Sequence, residues 1–173
     1  MTTSSGTMPF WVLSLAYWLH MLATLAWIGG LATLALFILP IAHHLLTSGD
    51  YINLMERLQR RLNPLAWISL AVLLATGLFQ MSASPQYQGL LAINNRWAVA
   101  ILIKHVLFFV MVGVSSYLTW WLMPELRRTV MLQARKDNQP NMAHLHRREE
   151  WIIRLNLLLG ILILGLTALA RAS

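Results

Sequence analysis

The sequence predicts an all-α integral membrane protein: one domain built as an up-down bundle of four spanning helices. Three observations carry this. Of the 173 residues, 58% are hydrophobic and only 11% charged, against about 25% charged in soluble domains. The apolar residues fall in four blocks, 10–41, 64–81, 97–123 and 151–170, and a bilayer is crossed by about 20 helical residues. None of the blocks alternates as a barrel strand does, so helix is the remaining way to satisfy the backbone in lipid.

The first block follows a segment without Lys or Arg and is about twice as long as a signal-peptide core, so it is expected to stay as a span. It exceeds the bilayer, which predicts tilt or projection beyond the membrane. Gly29-Gly30 offers a bend or a close approach. "LTSGDY" and "NP" punctuate the next connection, with "MERLQRRL" between them as a short surface helix. Pro64 then belongs in the first turn of the second span, where its missing N–H costs nothing. "SASPQYQG" is a loop, and the third block follows it. "KDNQPN" breaks the last connection. Arg154 opens the fourth span as an interfacial anchor, and Asn156 is placed to bridge helices. Glu149, Glu150, Arg147 and Arg148 read as a solvated face. Short connections make sequential helices neighbours and put the first and third on a diagonal.

The net charge of +7 is unevenly placed. The segments before residue 10 and between 81 and 97 contain only Arg96. The connection 42–63 holds Arg57, Arg60 and Arg61, and 124–154 holds Arg127, Arg128, Arg135, Lys136, Arg147, Arg148 and Arg154. The positive-inside rule puts these two loops in the cytoplasm and both termini outside; the expected location is a bacterial cytoplasmic membrane. Anionic headgroups account for the basic excess without nucleic acid. The absence of cysteine excludes disulfides, thiolate metal sites and cysteine nucleophiles.

Ionisable groups inside spans are rare and mark function. His20 and His105 lie at matching depth in two spans of the same direction. Across a diagonal, two such imidazoles form the arrangement that clamps a haem iron. Tyr17 and Trp27 share the His20 face, and Gly77 and Gly113 offer room for a macrocycle. Lys104 stands about 100° around the helix from His105. It either snorkels outward or, with Arg96, neutralises carboxylates such as haem propionates. His43, His44, His144 and His146 have poor spacing for a metal and read as surface residues. The nine Met raise Cu(I), which favours thioethers, but they are scattered. Met21, beside His20, and Met8 and Met81 are the candidates.

Several stretches resemble the copper resistance D (CopD) family and its relatives, the HemJ-type protoporphyrinogen oxidases. "WLHMLATLAWIGGLATLALFILP" is similar to their first span and "MERLQRRLNP" to the HemJ segment before the second. "LATGLFQM" resembles the second span, "AILIKHVLFF" the Lys-bearing third, and "RLNLLLGILIL" the fourth. The resemblance implies four membrane helices. From HemJ it implies haem b and electron transfer from a porphyrinogen, with the family's His and Lys at His20 and Lys104. From CopD it implies copper uptake or resistance, with "KH" at Lys104-His105. The HemJ Asn-Glu-Pro signature is missing, since Leu157 follows Asn156.

Three functions are therefore expected. The first is a b-type haem protein ligated by His20 and His105, moving electrons near the outer leaflet and acting as an oxidoreductase if it is an enzyme. The second is a copper transporter using the same histidines with nearby Met. The third is a cofactor-free structural subunit. The expected partners are the bilayer, haem, a second copy or other membrane redox subunits.

Overall fold

A computed structural model describes residues 9–84, 89, 96–133 and 143–172. Among these residues all regular structure is helical, and four helices are long and apolar enough to cross a membrane. The first span is α1 (Phe10–Thr33), a five-residue π turn (Leu34–Ile38) and α2 (Leu39–Leu45). The second is α3 (Ser48–Ser82). The third is α4 (Arg96–Tyr117), a second π turn (Leu118–Leu122) and α5 (Met123–Gln133). The fourth is α6 (Ala143–Ala172).

The two π turns share one cause. Pro40 and Pro124 stand two residues beyond them. A proline in a helix has no N–H for the carbonyl four residues back, and its ring crowds that carbonyl. The crowded carbonyls belong to Leu36 and Trp120, both inside the widened turns. There the Leu39 N–H reaches back to the Leu34 carbonyl and Met123 to Leu118, five residues each. The helix widens instead of breaking.

One sequence expectation is overturned here. "MERLQRRL" is not a separate surface helix, and Pro64 does not start a span. Both lie within the 35-residue α3. Thr47 caps its start, accepting from the Asp50 N–H at 3.3 Å. Tyr51 and Met55 are buried at 2% and 3% exposure, so the apolar stripe of the span continues through the basic segment. That packing outweighs the single bond lost at Pro64.

The helices pack chiefly as the pairs α1–α3 and α4–α6, with α1–α6 closing the bundle. Between the first pair, Gln80 Nε2 donates to the Ala16 carbonyl at 3.1 Å. Between the second, Asn156 Nδ2 donates to Ser115 Oγ at 2.8 Å, the bridge expected of Asn156. At Gly160 a Cβ would sit 3.4 Å from Ile28, which marks where α1 and α6 approach. Gly29 and Gly30 have no such neighbour within 4 Å, so they admit no close helix. Outward faces stay apolar, as lipid requires. Trp11 and Trp18 are exposed toward one end, and Trp120, Trp121 and Trp151 toward the end that carries the basic loops. Such belts suit the two interfaces.

Candidate functional site

Across the bundle diagonal, the Trp27 indole N–H donates to Met111 Sδ at 3.3 Å. Both residues are buried, at 6% and 2% exposure. This contact sets the register of the first span against the third. His20 and Lys104 each lie seven residues before it, about 10.5 Å along the axis, and His105 lies six before it, about 9 Å. A helical layer away from the basic end therefore carries His20, Lys104 and His105 together.

Within that layer His20 turns to the second span. Its Nδ1 lies 2.8 Å from Thr76 Oγ1. The Thr76 hydroxyl proton is donated to the Val72 carbonyl, so Nδ1 must carry the hydrogen and the imidazole lone pair sits on Nε2. Gly77 follows Thr76, and a Cβ there would meet His20 Cε1 at 3.5 Å. The space that this glycine was expected to give a macrocycle is taken by the imidazole.

His105 Nδ1 lies 2.8 Å from the Ile101 carbonyl one turn back. A carbonyl only accepts, so this ring also holds its proton at Nδ1 and its lone pair at Nε2. Residues seven apart share a helix face to within about 20°. Lys104 thus continues the Met111 stripe, whereas His105, six residues from Met111, stands about 120° around the helix from it, and both are half-buried. Gly113 lies on another side of α4, in an open groove with Val110, Tyr117, Arg148 and Trp151. It makes no room beside His105.

Tyr17 is half-buried one turn from His20, and Trp27 is committed to Met111. The Arg96 side chain lies outside the described residues, as do Met8 and the His146 side chain. Of the methionines, Met21 is 70% exposed and faces outward. Met55, Met81 and Met111 are all buried. The scatter in sequence hides a set of core thioethers on two helices.

Toward the basic end, a cavity of about 110 Å³ opens between all four spans. Trp27, Met55, Trp67, Met123, Glu149 and Asn156 are among its lining. Glu149 is not on a solvated face, as the run of charges suggested: it is 0% exposed. Its Oε2 accepts the Tyr51 hydroxyl at 2.7 Å. The signal was present in sequence, because Glu149 lies seven residues before Asn156 and so shares its buried face. His43 is likewise not a surface residue. Its ring packs against Tyr51, with centroids 4.8 Å apart. His44 and His144 are exposed. Among the described residues no three His, Cys, Asp or Glu gather as a metal cluster.

A family model described as copper resistance protein D matches residues 56–170. The match takes in most of the second span and of the fourth and all of the third, with Lys104, His105 and Glu149, and leaves out His20. No curated protein and no solved structure matches the chain.

Proposed function

The chain belongs to the copper resistance protein D family, and we propose that it is a multi-pass membrane protein that takes up Cu(I) between imidazole and thioether ligands in its core. One observation carries this reading: His20 and His105 both commit Nδ1–H to a fixed acceptor and turn the lone pair to Nε2. Metal-binding imidazoles have this form, because the second-shell acceptor fixes the tautomer and raises ligand basicity. A soft donor, Met111 Sδ, is buried about two turns further in, and Met55 lines the cavity beyond. Neutral imidazole and thioether suit a soft monovalent ion, and no redox step is required of the protein. The basic loops face the cytoplasm in this reading, and both termini lie outside.

Haem b is the second reading, since the same two histidines would hold it and it would supply electron transfer. The residues fit it less well. His20 fills the Gly77 notch that a macrocycle would need.

Purified protein separates the readings. Cu(I) titrated anaerobically against a chromophoric chelator should bind at about one ion per chain, and His20→Ala and His105→Ala should each weaken it. The reduced-minus-oxidised spectrum should be featureless. Sharp b-type bands that disappear in the same variants would overturn the copper reading. A chain that binds neither would leave a structural subunit.

A further inference from the structure

Glu149 Oε1 and Asn156 Oδ1 are both fully buried and have no hydrogen-bond partner among the described residues. The residues Glu149 and Asn156 line the same cavity, as do Gln59, Asn63 and Thr119. No ion pair among the described residues reaches Glu149. Among the described residues, the ionisable groups facing it from other elements are Tyr51 on α3, which donates to its other oxygen, and His43 on α2, stacked on Tyr51. Glu150 beside it is paired with Arg154, and Arg148 is turned to the Tyr117 hydroxyl. A carboxylate removed from water is costly without a counter-charge. The described residues place none there, yet leave space and a second unmatched oxygen two turns away.

We propose that this cavity binds one partly hydrated alkali cation, Na⁺ or K⁺, with Glu149 Oε1 supplying the charge and Asn156 Oδ1 a further oxygen through bridging water. The two residues are about 10.5 Å apart along α6, so water completes the shell between them. A water needs roughly 10–15 Å³ of such volume, and about 110 Å³ holds an ion with several. A single carboxylate matches one positive charge, and a divalent ion would leave a buried excess. Carboxylate, amide and hydroxyl oxygens are hard donors, which favours an alkali ion over Cu(I). The site stands apart from the histidine layer and does not depend on the copper reading.

The test is thermal unfolding of the full-length protein in detergent, in NaCl, KCl and choline chloride at equal ionic strength and fixed pH. A site that binds only the folded state raises Tm by a few °C as the ion passes its dissociation constant. That rise should appear with Na⁺ or K⁺ and not with choline. It should vanish in Glu149→Gln and shrink in Asn156→Ala. Line broadening of ²³Na by the wild-type protein, reversed by K⁺, supports the site without any variant. Equal Tm in the three salts would overturn the proposal, as would a rise that survives in Glu149→Gln. A Tm that follows pH but ignores the alkali ion would show that a proton is the counter-charge. Loss of the ²³Na broadening on adding Cu(I), but not K⁺, would assign the cavity to copper.

Discussion

The Trp27 indole N–H points at Met111 Sδ from the opposite corner of the bundle, 3.3 Å away. This side-chain bridge joins two helices that are not packed neighbours, and it fixes the depth of His20 against that of Lys104 and His105. Replacing Trp27 with Phe removes the donor but keeps an aromatic ring, and should cost about 0.5–1.5 kcal/mol. Trp27→Ala leaves a cavity and should cost about 3–5 kcal/mol. Met111→Leu conserves volume and should stay below about 1.5 kcal/mol. Denaturant unfolding in detergent ranks the three. On the copper reading, Met111→Leu also loses Cu(I) affinity out of proportion to its stability.

Thr76 offers a cleaner test of what His20 does. Its hydroxyl accepts from Nδ1 and fixes which nitrogen carries the lone pair. Thr76→Val removes that acceptor, and Thr76→Ser retains it. Losing a second-shell partner typically lowers metal affinity about 10–100-fold. Anaerobic chelator competition should show that loss for Thr76→Val and near wild-type affinity for Thr76→Ser. Equal affinities in both would mean that His20 ligates nothing.

The absence of native cysteine makes the facing of α4 measurable. Lys104 lies on the Met111 stripe and His105 about 120° from Met111. His20→Cys paired with Lys104→Cys should therefore be joined by a short bifunctional thiol reagent faster than His20→Cys paired with His105→Cys. Mobility shifts on denaturing gels read this directly. The opposite order would turn His105, not Lys104, toward the first span.

Gly77 is a graded probe of the same layer. An alanine Cβ would make ordinary contact with His20 at 3.5 Å, so Gly77→Ala should fold and bind Cu(I) nearly as the parent does. Gly77→Leu must displace the imidazole from Thr76. It should reproduce the Thr76→Val affinity loss while the chain remains helical by circular dichroism.

The four spans were legible because lipid imposes a length and a composition that long apolar blocks reveal directly. Asn156 was legible too, as a lone amide in an apolar run needs a partner on another helix. Glu149 was missed although its signal was present, because "RREE" reads as a hydrated surface unless the buried face of Asn156 is traced seven residues back. The unbroken α3 was missed for a related reason. Pro64 removes one hydrogen bond locally, while the burial of Tyr51 and Met55 that carries the helix through it is tertiary. The facing of His105 depended on which residue of the third span met the first. That contact turned out to be Met111, seven residues from Lys104 rather than from its neighbour.

The paired wide turns before Pro40 and Pro124 bear on more than local accommodation. A π turn holds one residue more than the α-helical path it replaces, so straightening it would spin everything beyond by about 100°. In the first span that rotation would carry His43 off the Tyr51 ring. In the third it would roll Leu126 out of the core. Two helices of the same direction thus carry the same wide turn at equal distance from their prolines, and the orientation of the basic end relative to the histidine layer is set by that one extra residue in each.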